Sequence, residues 1–150
     1  MSGPELLVLD GTALLFRAYF GSPIPRHSPE GMPVGAVSAM LWMVHRTLRA
    51  EQARSVAVVF DAGQRTFRND LDPAYKANRG APPDDLKPQF DLSREACEHL
   101  GLRCYCVPGF EADDLMATLA RLAREAGRGC RLMSVDKDLC QLVVDRDPTV

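Results

Sequence analysis

Seven acidic residues occur where short apolar runs end or where a helix is expected to begin. They are Asp10, Asp61, Glu111, Asp113, Asp114, Asp136 and Asp138. Carboxylates that share one site repel one another and raise each other's pKa unless a cation compensates their charge. Oxygen ligands without partnering Cys or His side chains favour hard ions such as Mg²⁺ or Mn²⁺. The acidic residues therefore predict a divalent-metal site.

A single acid of this kind has a simpler interpretation, as a helix cap or a first-turn residue that complements the helix dipole. The metal interpretation depends on several acids lying together. Two ions roughly 3.5–4 Å apart can activate a water and stabilise the leaving oxygen in phosphodiester cleavage. Because that chemistry needs several carboxylates, their number makes it the predicted reaction.

A cationic and aromatic stretch, residues 65–79, follows Asp61 and is called the basic segment below. Its chemically active residues are Arg65, Arg68, Tyr75, Lys76 and Arg79. Cations that alternate with aromatic rings suit phosphate contacts and base stacking, whereas the alternative is a solvated surface loop. Arg17, in the helix expected after Asp10, could also reach a phosphate or could be an ordinary surface arginine. The net charge of −2 argues weakly against a nucleic-acid partner, but bound metal would cancel several acids.

The elements that must position these residues alternate between apolar runs and amphipathic segments, which is typical of βαβ units. The predicted strands are Leu6–Leu9, Val56–Phe60, Leu102–Val107 and Arg131–Val135. Helices are predicted after Asp10 and at Val34–Arg49, Asp85–Leu100, Ala112–Ala126 and Lys137–Val144, with a long loop at Ala62–Pro83. The predicted fold class is α/β, Rossmann-like, with a mostly parallel sheet and helices on both faces.

Three of the four predicted strands are followed by an aspartate: Asp10, Asp61 and Asp136. In an open parallel sheet, ligands bind outside the carboxyl ends of the strands. We therefore expect these three carboxylates to meet in one crevice, joined by the acids that begin the helix at Ala112.

The composition is typical of a globular protein. A chain of 150 residues with 46% hydrophobic residues fits one globular domain. It contains neither an apolar run of the roughly 20 residues needed to cross a bilayer nor a signal peptide, so a cytoplasmic protein without a membrane partner is expected. Five cysteines without a C-x-x-C pair are expected to be reduced and mostly buried. Trp42, within a helical apolar stripe, is expected in the core.

These motifs, in this order, resemble the 5′–3′ exonuclease or flap endonuclease family. This family includes the N-terminal nuclease domain of bacterial DNA polymerase I, and its core is PIN-like. The matching motifs are Leu-Val-Leu-Asp10-Gly, Val-Val-Phe-Asp61, Phe67-Arg68, Tyr75-Lys76-Ala-Asn-Arg79, Pro108-Gly-Phe-Glu111-Ala-Asp113-Asp114 and Asp136-Lys-Asp138-Leu-Cys-Gln-Leu. The likeness covers essentially all 150 residues, so the resemblance implies one PIN-like nuclease domain over residues 1–150.

The resemblance also implies roles for individual residues. The seven acids would be ligands of Mg²⁺ or Mn²⁺, with two ions expected. Lys76 and Arg79 would act at the scissile region of DNA, Tyr75 would stack on a base, and Arg17 and Arg68 would bind phosphate. The implied substrates are branched or 5′-ended DNA, with RNA as a further class, and a DNA polymerase is an expected fused or associated partner.

Members of that family continue into a helix–hairpin–helix-type DNA-binding region and a further pair of aspartates, neither of which lies within these 150 residues. A nucleic-acid-binding domain of the same fold with weak or no turnover is therefore the open alternative. The stretch Val8-Leu9-Asp10-Gly11-Thr12 also resembles the Asp-x-Asp-Gly-Thr motif of haloacid-dehalogenase-like phosphatases. That second alternative is disfavoured, because Val8 occupies the place of the nucleophilic aspartate.

Overall fold

A computed structural model of the chain describes residues 3–21, 25–63, 65–78 and 80–143. Its four strands are β1 (Leu6–Asp10), β2 (Ser55–Phe60), β3 (Arg103–Cys106) and β4 (Cys130–Met133). They form one sheet in the order β3-β2-β1-β4, and every pairing is parallel. The central strands are therefore β1, the first element, and β2, which follows the first two helices. This order is typical of a doubly wound α/β fold.

Helices connect these strands. They are α1 (Gly11–Gly21), α2 (Gly35–Glu51), α3 (Phe67–Leu71), α4 (Lys87–His99) and α5 (Ala112–Glu125), followed by a short 3₁₀ helix at Lys137–Leu142. Apolar side chains alternate between the two faces of β1, which places Leu7 and Leu9 under α1, α2 and α4 and Val8 against Met116 of α5. The predicted fold class, with helices on both faces of a parallel sheet, is confirmed.

Two predicted boundaries are wrong. The stretch Ala62–Pro83 is not one loop, because α3 lies within it. This helix has only five residues, too few for an apolar period to be visible, and its first turn is held by the Thr66 N–H, which donates to Asn69 Oδ1 at 2.9 Å. The fourth strand ends at Met133 rather than at position 135, so Asp136 is not a strand-end residue.

Two predictions about burial also need correction. Trp42 is 61% exposed, because α2 buries the opposite stripe formed by Ala36, Val37, Met40 and Val44. Among the cysteines, Cys97 is buried, whereas Cys106 and Cys140 are exposed, so the expectation of mostly buried thiols holds only in part. In the described ranges no helix is long and apolar enough to cross a membrane.

The junction between β1 and α1 depends on a glycine. A Cβ atom at Gly11 would lie 2.5 Å from the ring of Phe60, the last residue of β2. Phe60 is only 4% exposed, so its ring cannot easily move away. The absence of a side chain at Gly11 therefore lets α1 begin directly beside the end of β2, and this brings Thr12 next to Asp61.

Candidate metal and nucleic-acid site

Asp10 is the last residue of β1 and is only 5% exposed. Its Oδ1 accepts a hydrogen bond from the Ala13 N–H at 2.9 Å, and its Oδ2 accepts one from the Ser134 hydroxyl at 2.7 Å. Burial raises the pKa of Asp10 above its ordinary value, and the nearby negative charges of Asp61 and Asp136 add to that rise, while the two hydrogen bonds oppose it.

Asp61 follows β2 directly and is held between two helices. Its backbone N–H donates to Thr12 Oγ1 at 2.9 Å, in the first turn of α1. Its Oδ1 accepts a hydrogen bond from the Ala112 N–H at 2.7 Å, at the start of α5. Asp61 thus also satisfies a free N–H at the start of α5, as the simpler helix-cap interpretation predicts, and its second oxygen is the one left for another ligand.

The carboxyl group of Asp113, in the first turn of α5, interacts electrostatically with those of Asp10 and Asp61. Its pKa is raised to about 6, chiefly by burial and then by the negative charges of Asp136, Asp10 and Asp61. Four aspartates from four separate parts of the sequence therefore lie close enough to repel one another. Such a set gains free energy from a bound cation, which cancels the repulsion.

Asp136 and Asp138 reach the same place from the segment beyond β4. Asp136 caps the 3₁₀ helix, since its Oδ1 accepts from the Asp138 N–H at 2.9 Å. Its own N–H donates to Ser134 Oγ at 3.1 Å, so one hydroxyl bridges the Asp10 side chain and the Asp136 backbone. The interpretation that Asp136 approaches the site is therefore retained although it does not end a strand.

These carboxylates line one cleft of about 690 Å³, called the carboxylate cleft below. Six of the seven predicted metal ligands line it: Asp10, Asp61, Glu111, Asp113, Asp136 and Asp138. The seventh, Asp114, is not among the lining residues, and its carboxylate is paired with Arg68 through hydrogen bonds of 2.7 and 2.8 Å.

Among the cleft carboxylates, that of Glu111 makes the most contacts with other side chains. It is 7% exposed and receives the Lys76 ammonium on Oε1 at 2.9 Å and the Tyr75 hydroxyl on Oε2 at 3.2 Å. The Arg68 guanidinium lies 3.7 Å from the same Oε2. Through these contacts the basic segment folds back onto the cleft.

The donor set fits a hard divalent ion by its chemistry, because it consists of carboxylate oxygens with two hydroxyls, of Thr12 and Ser134, and no thiolate or imidazole. Within the described ranges, however, no three acidic, Cys or His side chains already surround a common point closely enough to hold an ion. The carboxylates instead accept hydrogen bonds from backbone, hydroxyl and ammonium groups. Metal binding would thus require side-chain adjustment, most of all at Glu111.

The predicted cationic residues have different positions. Arg17 on α1 and Lys76 both line the carboxylate cleft. Lys76 has a left-handed backbone with φ of 56°, unusual for a residue with a side chain and often found at functional sites. Arg65 pairs with Asp70 at 2.6 Å and is 82% exposed, away from the cleft. Arg79 lies outside the described residues.

Several residues of the site were missed by sequence reasoning. Thr12 and Ser134 hold Asp61 and Asp10 by hydrogen bonds. Thr12 follows the Asp-Gly motif directly and Ser134 stands two residues before Asp136, so proximity to the acids was a usable signal for both. Phe16 and Phe20 of α1 form a stacked aromatic pair on the cleft wall, with ring centroids 6.4 Å apart. Their periodic spacing resembles an ordinary helix stripe, and no sequence signal marks Phe20 as 71% exposed.

Comparison with known proteins identifies a family with the same domain. Residues 5–150 match the model of the family described as 5′-3′ exonuclease, N-terminal resolvase-like domain. DNA polymerase I of Rhizobium leguminosarum is 45% identical over 148 residues, which is 94% of this chain and 15% of that protein. A 5′-3′ exonuclease of Bacillus subtilis is 41% identical over 150 residues, covering 97% of this chain and 50% of that protein.

A solved structure shares the fold. The bacteriophage T5 flap endonuclease, crystallised in a pseudo-enzyme-product complex with DNA and metal ions, superimposes with a TM-score of 0.70 at 26% identity. The match covers 93% of this chain and 52% of that one. The chain therefore spans about half of this nuclease and of the Bacillus relative, and a much smaller part of the polymerase.

Proposed function

This chain belongs to the family of 5′-3′ exonuclease N-terminal, resolvase-like domains, and on that premise we propose that it supplies the catalytic core of a metal-dependent 5′ nuclease. The reaction is hydrolysis of DNA phosphodiesters at a 5′ end or a 5′ flap. Water is added across one P–O bond, leaving a phosphate on one fragment and a hydroxyl on the other.

The single observation that carries this proposal is the convergence of six carboxylates in one cleft. Burial, together with the negative charges of Asp136, Asp10 and Asp61, raises the pKa of Asp113 to about 6. A fold gains nothing from such repulsion by itself, so a cationic ligand is the physical reason to keep the acids together. Their oxygen-only chemistry favours Mg²⁺ or Mn²⁺ over softer ions.

The ligands in this proposal are the six cleft carboxylates, with two ions expected. When bound, the ions would activate the attacking water and stabilise the leaving oxygen. The chain's own contribution is to hold the carboxylates in place. Thr12 accepts a hydrogen bond from the Asp61 backbone N–H, and Ser134 donates one to Asp10 Oδ2, which together fix the positions of the two aspartates.

Cationic residues of the same cleft and an aromatic residue beside it would bind the DNA strand. Lys76 and Arg17 line the cleft and would contact phosphates. Tyr75 lies beside Lys76, with the ammonium 5.1 Å from its ring centroid, and presents a ring for stacking on a base. Arg79 is proposed to act with Lys76 at the scissile phosphate, on the basis of the motif that they share.

The relatives support DNA as the substrate. One is a 5′-3′ exonuclease and another a DNA polymerase I, while the T5 flap endonuclease was crystallised with DNA and metal ions. We propose a DNA polymerase as a fused or associated partner, RNA as a further substrate class, and a cytoplasmic location. Replication and repair of DNA are the processes that such an activity would serve.

A second candidate function, DNA binding with little turnover, is favoured by one observation. The Lys76 ammonium is paired with Glu111 Oε1 at 2.9 Å. If Glu111 does not exchange this partner for metal, the chain would hold DNA without cleaving it.

A cleavage assay separates the two candidates. The chain is incubated with 5′-labelled flap and single-stranded DNA in Mg²⁺, in Mn²⁺ or in chelator, beside an Asp113→Asn variant. The nuclease proposal predicts metal-dependent product that the variant loses by about 10²-fold or more. DNA retention in a gel-shift experiment without product supports the binding domain. Product that persists in chelator, or equally in Asp113→Asn, contradicts the nuclease proposal.

A further inference from the structure

The most strongly held ion pair near the cleft joins α3 to α5. The Arg68 guanidinium donates from both terminal nitrogens to the two carboxylate oxygens of Asp114, at 2.7 and 2.8 Å. The side chains are only 30% and 20% exposed. Paired hydrogen bonds of this fork geometry are stronger and more directional than ordinary ion pairs. This contact therefore fixes where α3 lies relative to α5.

Asp114 has little capacity left for a further ligand. Its Oδ2 also accepts the Glu111 N–H at 2.9 Å, which closes the first turn of α5. Asp113, the preceding residue, lines the cleft, whereas Asp114 does not. Adjacent acids thus have different surroundings, since Asp113 faces the cleft and Asp114 pairs with Arg68.

The helix that Arg68 anchors also holds the residues that follow it. The Phe67 N–H donates to the Gly109 carbonyl at 3.0 Å, just before α5. The Asn69 side-chain amide donates to the Tyr75 carbonyl at 3.0 Å. The Arg68 guanidinium lies 5.9 Å from the centroid of the Tyr75 ring. The pairing of Arg68 with Asp114 therefore helps to fix the position of α3. The position of α3 in turn helps to fix that of Tyr75.

The end of this chain of contacts is the cleft. Tyr75 and Lys76 reach the two oxygens of Glu111 at 3.2 and 2.9 Å. Lys76 does so from a left-handed backbone, a conformation that needs outside support in a residue with a Cβ. α3 thus supports the Tyr75-Lys76 pair against Glu111, because its Asn69 amide holds the Tyr75 carbonyl.

We propose that Asp114 and Arg68 act as a positioning pair that holds the basic segment over the carboxylate cleft, rather than as a metal ligand and a phosphate contact. This revises the roles that the family resemblance implied for both residues, and it rests on the proposed nuclease function. In its physical consequences it is independent of turnover, because it concerns the order of residues 66–78 and the affinity for metal.

The test compares Asp114→Asn and Arg68→Gln with Asp113→Asn as the matched control one residue away. Three quantities are measured on the whole chain: Mn²⁺ affinity by calorimetry, amide hydrogen exchange of residues 66–78, and the KM and kcat for a 5′-labelled flap. Arg68→Lys is a fourth variant, which keeps the charge but loses the fork geometry. Circular dichroism and thermal melting establish that each variant is folded.

The positioning role predicts a distinct pattern. Asp114→Asn and Arg68→Gln should leave Mn²⁺ affinity within about threefold of the original chain, speed exchange across residues 66–78 at least tenfold, and raise KM for DNA. Arg68→Lys should recover part of the exchange protection. Asp113→Asn should do the reverse, weakening Mn²⁺ binding at least tenfold with exchange unchanged.

Two results would overturn the proposal. One is a loss of Mn²⁺ affinity in Asp114→Asn as large as that in Asp113→Asn, with residues 66–78 still protected. The other is normal protection of those residues in Arg68→Gln. A failure of the nuclease proposal itself would look different, since all variants and the original chain would then lack metal-dependent product while the exchange pattern remained as predicted.

Discussion

The Lys76 ammonium lies 2.9 Å from Glu111 Oε1, so a cation expected to contact DNA rests on a carboxylate expected to bind metal. Both side chains are largely buried, at 31% and 10% exposure. An ion pair in such surroundings must open, or share its carboxylate, before Glu111 can take a metal ion. Metal binding and the position of Lys76 are therefore expected to be coupled.

Replacing Lys76 by Ala should change metal affinity and DNA cleavage in opposite directions. Mn²⁺ affinity should rise by about two- to fivefold, the change that matches an ion pair of up to ~1 kcal/mol. Flap cleavage should fall by about 10²-fold or more, since a cation beside the scissile phosphate is lost. Calorimetry and a labelled-flap assay measure the two quantities. Lys87→Ala, which removes a lysine paired with Asp84, is the control; weaker Mn²⁺ binding in Lys76→Ala than in this control would contradict the coupling.

A second prediction concerns pH and stability without metal. The raised pKa of Asp113, about 6, means that the folded chain binds this proton more tightly than the unfolded chain, where the pKa is about 3.9. Unfolding free energy should therefore fall as the pH rises from about 4 to above 6. Asp113→Asn has no titrating group at this position, so it does not lose unfolding free energy in this way. In chelator its melting temperature should therefore exceed that of the original chain above pH 7 and match it near pH 4.

Thermal melting of both proteins across that pH range measures the difference between their melting temperatures. The other titrating groups are the same in both proteins, so their contributions largely cancel. Glu95→Gln, which changes an exposed acid on α4, should melt in parallel with the original chain at every pH. Adding Mn²⁺ should reverse the order of the two proteins at pH 7.5, because a bound ion stabilises the charged cluster. A constant difference between Asp113→Asn and the original chain at all pH values would argue against coupled carboxylates.

The Ser134 hydroxyl bridges Asp10 and the backbone of Asp136, and its removal should loosen both. Ser134→Ala is expected to weaken Mn²⁺ binding about tenfold, the usual effect of losing a group that orients metal ligands. The control is Thr118→Ala, whose hydroxyl bonds only the Asp114 carbonyl of its own helix. Equal Mn²⁺ affinities in the two variants would show that the bridge has no such role.

Much of this architecture could be predicted from sequence. Apolar runs such as Leu7–Leu9 identify the strands, and their parallel order places Asp10 and Asp61 at one edge of the sheet. The acids at the start of α5 follow from the same helix signals. Asp136 lines the cleft, but an irregular segment after Met133 carries it there rather than a strand end.

The basic segment could not be predicted to the same depth. Arg68 and Asp114 are 46 positions apart, and Lys76 and Glu111 are 35 apart. Neither pairing follows from helical or strand periodicity, because both depend on how α3 and the left-handed Lys76 turn the chain back. Composition indicates only that this segment is cationic and aromatic, which fits a solvated loop equally well.

A prediction about the fold concerns Gly11. Gly11→Ala should lower the free energy of unfolding by about 1–3 kcal/mol, the usual cost of forcing an extra group into a packed site, here against the Phe60 ring. Urea denaturation measures it. Gly21→Ala provides the comparison, since no atom of the described residues outside its own helix lies within 4 Å of an added Cβ there. Equal stability of the two variants would mean that the α1–β2 contact is looser than described.

Divalent metal bound in the carboxylate cleft can be located by diffraction. Crystals of the chain grown with Mn²⁺ would be measured at the manganese absorption edge. We expect an anomalous difference peak within bonding distance of carboxylate oxygens of Asp10, Asp61, Asp113 or Asp136, and no such peak in Asp113→Asn crystals at the same concentration. A peak bound only elsewhere, or an empty cleft at millimolar Mn²⁺, would contradict it.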